Sequence, residues 1–153
     1  MDGSDSYFME KALMLAKEAY ELDEVPIGAL VVSADNIIVG RGYNVTENQF
    51  SQSRHAEVCA IEQAGKTQGD WRMEQCTLYV TLEPCLMCMS LVCLSRISRV
   101  VYGASSPLFG YTLDKELLPF HYKKHIKGIT AGVRADESKL LLEHFFKHKR
   151  KDE

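Results

Sequence analysis

The sequence predicts an α/β fold in which a β-sheet is covered by helices on both faces. Stretches with helical apolar periodicity alternate with short runs rich in β-branched and aromatic residues. The resulting order, α-β-β-α-β-α-β-loop-β-α, contains strand–helix–strand passages, which favour parallel neighbouring strands joined by right-handed crossovers. Because 153 residues suit one hydrophobic core, we expect a single domain over residues 1–153.

The first part of the chain predicts a helix followed by a hairpin. Apolar residues recur at helical spacing from Phe8 to Leu22, with charged residues on another side. Ile27–Val32 and Ile37–Val39 are typical of strands, and the turn residues Ser33–Asn36 between them predict the hairpin.

The central part predicts two helices on either side of one strand. Val58–Ala64 continues an apolar helical pattern, and Gly65 is its predicted C-terminal stop. Thr77–Leu82 is rich in β-branched and aromatic residues and is therefore typical of a strand. Pro84 suits the first turn of the next helix, where its missing N–H needs no partner.

The last part predicts two strands and a helix. Arg99–Gly103 and Ile126–Val133 are the strand candidates, and the stretch 104–124 between them is irregular in pattern. The final predicted helix covers Ala135 to about Lys149. Its apolar side consists of Leu141, Leu142, Phe145 and Phe146.

Composition excludes several classes of protein. Apolar residues make up 46% and charged residues 25% of the chain, as in soluble globular proteins, and no apolar run is long enough to span a bilayer. Five cysteines are an odd number without the density of a disulfide scaffold, so we expect a reducing, cytoplasmic location. We interpret Cys59, Cys76 and Cys93 as small core residues. A net charge of −3 does not by itself indicate nucleic-acid binding.

Two short motifs contain the candidate catalytic residues of the chain. They are His55-Ala56-Glu57 and the downstream Pro84-Cys85-Leu86-Met87-Cys88. One imidazole and two thiolates are ligands that zinc binds, and three protein ligands leave a fourth position for a water. Zinc lowers the pKa of that water from 15.7 to about 7. Glu57 is not needed as a ligand and can carry the proton of the water. Zinc-activated water beside a proton-shuttling carboxylate indicates hydrolytic deamination of a nucleobase.

Each half of this pattern is weak when it stands alone. A lone His-x-Glu is usually an ordinary surface or core pair, and a lone Cys-x-x-Cys also suits a redox dithiol or half of a structural zinc finger. A redox pair does not need an upstream His-x-Glu, whereas a structural site needs a fourth ligand at finger-like spacing. The other cysteines form no second close pair. The complete signature therefore favours a catalytic zinc site.

Both halves of the pattern fall at predicted helix starts. His55 and Glu57 lie in the first turn of one helix, and Cys85 and Cys88 are one turn apart in the next, where residues i and i+3 share a face. The partial positive charge of two helix N-termini favours thiolate over thiol at a shared metal.

The chain resembles the bacterial tRNA adenosine deaminases of the cytidine-deaminase-like superfamily. The resemblance covers nearly the whole chain and rests on Val25–Ala29, Asn44, Tyr79–Cys88, Ser95–Ala104 and Phe145–Lys147. It implies a three-layer α/β/α sandwich with a central five-stranded mixed sheet. It also implies a homodimer in which both subunits touch RNA.

The resemblance further implies a role for each residue of the site. Glu57 would protonate a ring nitrogen, zinc hydroxide would attack C6, and Glu57 would then help ammonia leave. Asn44 would hydrogen-bond the purine, and the backbone around Ala56 would contact the flipped base. The implied reaction converts adenosine to inosine at the anticodon wobble position of a tRNA, and the expected substrate is the bacterial arginine tRNA. The ligands of the one Zn²⁺ would be His55, Cys85 and Cys88.

Two stretches depart from the family pattern. Where the family carries an Asp-Ala-Lys-Thr-Gly-Ala-like stretch, this chain has Ser105–Gly110, and Ser106 takes the place of an acidic residue that contacts ribose and backbone of the RNA. This departure does not affect the zinc-binding residues, but it changes the loop expected to bind the substrate and to distinguish RNA from DNA. Arg54, before the histidine, suits either a phosphate contact or an ordinary exposed arginine.

Basic residues cluster at 123–127 and at 147–151. Because the second cluster follows two phenylalanines, Phe146 and Lys147 are candidates for stacking a base and binding a phosphate. The alternative is a solvated helix end, where the helix dipole favours cations in any case. We expect Phe145, at helical spacing from other apolar residues, to belong to the core.

Three functions remain compatible with the sequence, and tRNA wobble adenosine deamination is favoured. A free-base or nucleotide deaminase acting on guanine or cytosine compounds would share the metal site and suit the altered loop. A zinc-stabilised binding protein without catalysis would have no use for Glu57 beside the metal. The expected partners are a tRNA anticodon stem-loop and a second copy of the chain, without a membrane.

Overall fold

The computed structural model describes residues 3–118 and 120–152, with the backbone alone at 3, 120, 122 and 150–152. Its helices and strands follow the predicted order, except that a short helix and two 3-10 turns lie in the stretch 104–124, which was predicted to be irregular. They are α1 (Gly3–Glu21), β1 (Gly28–Val32), β2 (Ile38–Tyr43), α2 (Ala56–Gln68), β3 (Thr77–Leu82), α3 (Leu86–Leu94), β4 (Arg99–Ala104), α4 (Phe120–Lys123), β5 (Gly128–Thr130) and α5 (Ala135–Asp152). Two 3-10 turns, Tyr111–Leu113 and Lys115–Leu117, precede α4.

The five strands form one mixed sheet in the order β2-β1-β3-β4-β5. β1 pairs antiparallel with β2 and β3, whereas β3 with β4 and β4 with β5 are parallel. Thr77 pairs with Arg99, so the crossover through α3 sets the carboxyl ends of β3 and β4 side by side. The predicted mixed sheet and its parallel crossover are confirmed.

Helices cover both faces of this sheet. α2 and α3 bury their apolar sides on one face, in a core that includes Ala60, Ile61, Met89 and Val92. α1 packs on the other face through Phe8, Met9, Ala12 and Leu13, and α5 contacts α1, β3 and β4 there. The three-layer α/β/α sandwich is therefore confirmed.

The second helix runs past its predicted stop at Gly65. α2 continues to Gln68 and ends at Gly69, whose left-handed φ of 72° lets its N–H reach the Gly65 carbonyl at 2.8 Å. Gly65 is tolerated inside the helix, because an interior glycine costs only about 1 kcal/mol relative to alanine.

The edge strands also differ from their predicted lengths. β2 extends to Tyr43 through Gly40 and Gly42, which break the strand pattern in the sequence but lie directly against α2. β5 stops at Thr130, soon before Gly132 turns the chain with a φ of 83°. Its short length follows from that left-handed turn, which strand geometry does not allow.

The three cysteines outside the predicted metal site differ in burial. Cys76 and Cys93 are buried, as predicted, whereas Cys59 is half-buried. All five cysteines are free thiols. Within the described residues, no helix has both the length and the apolar character needed to cross a membrane.

Candidate metal centre and active site

The starts of α2 and α3 bring three metal-binding side chains together. His55 is the N-cap residue of α2, Cys85 is the N-cap residue of α3, and Cys88 lies one turn further. His55 Nδ1 is 3.4 Å from Cys88 Sγ and 3.7 Å from Cys85 Sγ. The three ligand atoms lie within 4.8 Å of one another. Neither cap side chain bonds to its own helix, so both remain available to a metal.

These donor atoms fit a tetrahedral zinc ion. With Zn–S of about 2.3 Å and Zn–N of about 2.0–2.1 Å, a tetrahedral angle separates sulfur and nitrogen by about 3.6 Å. The two observed separations, 3.4 and 3.7 Å, lie on either side of that value. One nitrogen and two sulfurs leave the fourth position open, as in catalytic rather than structural zinc sites.

Helix α3 begins two residues later than predicted. The sequence placed Pro84 in its first turn, but the helix starts at Leu86 and Pro84 precedes the Cys85 cap. The Pro84 carbonyl accepts the Tyr111 N–H at 2.8 Å, and Cys85 pairs with Gly110 in an antiparallel bridge. These contacts keep the segment extended. The two cysteines still stand at i and i+3, so both sulfurs reach the same side.

Glu57 lies in the first turn of α2 and is only 4% exposed. Burial raises its pKa to about 7, because a carboxylate removed from water loses hydration that favours the charged form. The neighbouring Cys88 thiol acts in the opposite direction and lowers the pKa of Glu57. A carboxyl group that titrates near neutral pH can both accept and donate a proton there.

The two thiols of the cluster differ in acidity. The hydrogen bond from Cys88 lowers the pKa of Cys85 to about 4, and the neighbouring His55 acts in the same direction. The pKa of Cys88 rises because its proton binds Cys85 and because it is buried. The pKa of His55 is raised by its hydrogen bond with Cys85. A bound cation favours thiolate at both sulfurs, which reverses the direction at Cys88.

Two of the predicted base-binding residues lie beside this centre. Ala56 is buried between His55 and Glu57. Asn44 is also buried, and the Val45 N–H donates to the Arg54 carbonyl at 3.0 Å, which places Asn44 next to the His55 segment. The amide of Asn44 makes two long hydrogen bonds, both of 3.4 Å. It therefore keeps the capacity to bind a stronger partner.

Arg54 is held by contacts within the protein. Its Nη1 pairs with Glu62 at 2.9 Å, and its Nη2 donates to Cys59 Sγ at 3.1 Å. The sequence left open a phosphate contact or an ordinary exposed arginine. The structure instead shows a side chain that is 25% exposed and held by contacts within the protein.

A buried carboxylate that sequence reasoning missed holds the loop after Asn44. Glu24, 1% exposed, accepts the N–H groups of Glu47 at 3.1 Å and Asn48 at 2.7 Å, and the Asn48 amide at 2.7 Å. Burial alone would raise the pKa of Glu24, but these hydrogen bonds hold it below its ordinary value.

A second missed carboxylate, Glu83, holds the loop that carries Ser106. It accepts the Ser106 N–H at 3.0 Å and the N–H and hydroxyl of Thr112 at 3.1 and 2.7 Å. The available signal in the sequence is an acidic residue close to a proline near a strand: Glu83 directly precedes Pro84 after β3, and Glu24 stands two residues before Pro26, ahead of β1.

Phe146 and Lys147, the candidates for stacking a base and binding a phosphate, lie on α5. A groove of about 670 Å³ separates the end of α1, the loop 46–50 and α5, and Phe146 lines it with 47% of its surface exposed. Phe145 is buried as expected, and its ring meets that of Phe146 edge-on at 5.4 Å. Lys147 is exposed, whereas Lys149 pairs with Asp23 at 2.6 Å. The predicted site residues thus divide between the metal centre and this groove beside α5.

Comparison with known proteins agrees with this site. The cytidine and deoxycytidylate deaminase zinc-binding region matches residues 2–104. The tRNA-specific adenosine deaminase of Bacillus subtilis (strain 168) is 42% identical over 148 residues, which cover 96% of this chain and 91% of the relative.

Solved structures give the same picture of the fold. One from studies of A-to-I editing by tRNA:A34 deaminases at the wobble position of transfer RNA is 35% identical and has a TM-score of 0.79. The match covers 89% of this chain and 99% of the other. Guanine deaminase from Bacillus subtilis is 29% identical with a TM-score of 0.65, over 76% of each chain.

The cofactor follows from the family and from the cluster together, since a zinc-binding region spans the part of the chain that holds the His/Cys/Cys group. The predicted zinc cofactor is confirmed. The chain belongs to the cytidine and deoxycytidylate deaminase family, in its group of tRNA-specific adenosine deaminases.

Proposed function

We propose that this chain is a single zinc-dependent deaminase domain, residues 1–153, that converts adenosine to inosine at the anticodon wobble position of an arginine tRNA. The substrate assignment rests on one observation: the similarity to a tRNA-specific adenosine deaminase extends over 96% of the chain. The buried carboxylate beside the His/Cys/Cys cluster supplies the matching chemistry.

In the proposed mechanism the chain moves protons around a bound base. His55, Cys85 and Cys88 would hold one zinc ion, which would supply an activated water at neutral pH. Glu57 takes a proton from water and delivers it to N1 of the adenine, which makes C6 more electrophilic for attack by the hydroxide oxygen. Once the hydroxide oxygen has bonded to C6, the carboxylate takes the remaining proton of that oxygen and passes it to the amino group. The C6–N bond then breaks, ammonia leaves, and the C6–O bond of inosine remains. Burial raises the pKa of Glu57, which favours its holding the proton between the two transfers.

Other residues orient the substrate. The Asn44 amide donates to and accepts from the purine, and the backbone at Ala56 contacts the extruded base. Ser106 offers a neutral hydroxyl to the ribose. Phe146 and Lys147 bind a neighbouring base and a phosphate at the groove beside α5.

The chain acts as a cytoplasmic homodimer in this proposal. Trp71, Met87 and Leu94 are 53%, 41% and 44% exposed, and a second copy would cover apolar surface of this kind. Light scattering after size exclusion should give twice the mass of the chain. A monomer mass at micromolar concentration would contradict the dimer.

The decisive assay is inosine formation by the zinc-loaded protein on an arginine anticodon stem-loop with adenosine at the wobble position. Glu57→Gln should lower kcat by about 10²- to 10⁴-fold while zinc stays bound, because only the proton carrier is removed. Glu62→Gln on the same helix, at an exposed carboxylate, should change kcat little. Full activity of Glu57→Gln would contradict the role assigned to Glu57.

A second candidate function is deamination of a free base, and the likeness to guanine deaminase together with the altered Ser105–Gly110 stretch favours it. Free adenosine, cytidine and guanine are therefore assayed beside the stem-loop. Inosine in RNA alone supports the tRNA function, whereas turnover of a free compound alone assigns the chain to nucleotide salvage. No turnover of any substrate would favour a zinc-stabilised binding protein.

A further inference from the structure

A buried carboxylate lies directly before the metal-binding segment. Glu83 stands between the end of β3 and Pro84-Cys85 and is 5% exposed. A charged group withdrawn from water needs hydrogen bonds to offset its lost hydration. Among the described residues, the hydrogen bonds to this carboxylate come from one segment, residues 105–113, called here the clamp loop.

The two oxygens of Glu83 bind opposite ends of the clamp loop. Oε1 accepts the Ser106 N–H at 3.0 Å. Oε2 accepts the Thr112 N–H at 3.1 Å and the Thr112 hydroxyl at 2.7 Å. One side chain therefore closes a loop whose ends are six residues apart in sequence.

Gly110, near the middle of the clamp loop, also lies close to the Glu83 carboxylate. A Cβ atom added at Gly110 would lie 2.2 Å from Glu83 Oε2, so a side chain at this position would displace the Glu83 carboxylate. On the other side, Gly110 pairs with Cys85 and the Tyr111 N–H donates to the Pro84 carbonyl at 2.8 Å. The loop is thus docked on the segment that carries a zinc-binding thiol.

This docking places the free part of the loop beside the metal centre. Leu108 and Phe109 at its tip are 77% and 75% exposed, and Phe109 directly precedes the glycine that pairs with Cys85. Ser106, the residue that departs from the family pattern, is fixed at its backbone by Glu83. The ends of the loop are held, while its tip is exposed.

We propose that Glu83 is a positioning residue that fixes the clamp loop against the Cys85 segment, so that the loop holds the substrate over the metal centre. The identity of the substrate rests on the proposed function, whereas the attachment of the loop does not. Glu83 is not a zinc ligand, so its loss loosens the loop and leaves zinc bound.

Hydrogen exchange of the holoenzyme tests the attachment without any substrate. In Glu83→Gln an amide NH₂ replaces one accepting oxygen, so the Ser106 and Thr112 N–H groups should exchange about 10- to 100-fold faster, while amides of β4 stay unchanged. Thr112→Val is the matched control, because it removes the hydroxyl and keeps the N–H, and its effect should be below about tenfold. Unchanged exchange in Glu83→Gln would overturn the proposal.

A pair of variants tests the contact at Gly110. Gly110→Ala should speed loop exchange in the wild-type background, where the new Cβ meets the carboxylate. In the Glu83→Ala background the same change should cause little further increase, because the carboxylate is gone. Equal effects in both backgrounds would show that the loop does not rest on Glu83 and would contradict the proposal.

Kinetics on the anticodon stem-loop separate positioning from chemistry. Glu83→Gln should raise KM about tenfold, with kcat within about threefold and one zinc per chain, because binding is lost without a change in the proton carrier. Loss of zinc together with kcat would assign Glu83 to the ligand segment and overturn the proposal, as would an unchanged KM. If the wild-type protein leaves the stem-loop unreacted, the proposed function fails, and the exchange experiments still decide whether Glu83 holds the loop.

Discussion

Gly42→Ala is expected to displace the helix that carries Glu57, because Gly42 is the residue of β2 against which α2 packs. A Cβ at this position would lie 2.4 Å from the Ala56 carbonyl oxygen and 2.6 Å from the Ala60 nitrogen, whereas ordinary contact begins near 3.4 Å. The neighbours are backbone atoms, so no change of rotamer can relieve the clash. α2 must therefore move away from the sheet by about 1 Å.

The size of the effect follows from that displacement. Overpacking of this kind costs about 1–3 kcal/mol in the free energy of unfolding, and each kcal/mol lowers Tm by about 2–4 °C for a chain of this length. Because Ala56 adjoins both His55 and Glu57, a shift of about 1 Å should lower kcat/KM about 100-fold. Thermal unfolding, zinc content and inosine formation measure the three consequences.

Gly65→Ala on the same helix is the matched control. The atoms nearest to an added Cβ there are 3.7 Å away, so the substitution fits without strain. Alanine in a helix interior should raise the free energy of unfolding by about 0.5–1 kcal/mol and leave activity unchanged. If Gly42→Ala melted at the wild-type temperature with full activity, the packing argument would be refuted.

Three further predictions concern zinc, pH and RNA. Cys88→Ala should lose stoichiometric zinc by metal analysis, and tightly bound zinc in this variant would contradict the ligand assignment. The pKa of Glu24 is lowered from 4.5 in the folded chain, so its stabilisation is present above that pH and is lost as the pH falls through the lower folded value. In urea unfolding, the difference in stability between wild type and Glu24→Gln should therefore become smaller as the pH is lowered from about 7 to about 3. A difference that does not change with pH would contradict a stabilising role for the Glu24 carboxylate. Changing Lys147, Lys149 and Arg150 together to Ala should weaken stem-loop binding and reduce its salt slope by about 2 if all three meet phosphates, whereas an unchanged slope would remove the basic end of α5 from the interface.

The candidate metal centre could be predicted because its signal is local in the sequence. His55 with Glu57, and Cys85 with Cys88, are each separated by a few residues, and helix geometry turns such spacings into a shared direction. The structure then brings the two halves within hydrogen-bonding distance. Where the prediction erred, as at Pro84, the segment was kept extended by the distant Tyr111 and Gly110.

The loops around the site could not be predicted in the same way. Glu24 and Glu83 are ordinary acidic residues in the sequence, and their partners lie more than 20 residues away. Gly42 reads as a weak strand residue until the helix that packs on it is known. Arg54 suited two roles until its contacts with Glu62 and Cys59 were seen.

The sequence by itself determined the alternation of helices and strands, the candidate metal-binding residues and the family, because periodicity and short motifs depend on neighbours along the chain. The tertiary structure decided which carboxylates hold the loops, where the helix starts fall and how closely α2 approaches the sheet. Those properties arise from contacts between residues that are far apart in sequence, and hydrogen bonding and close packing select them only once the sheet has brought the segments together.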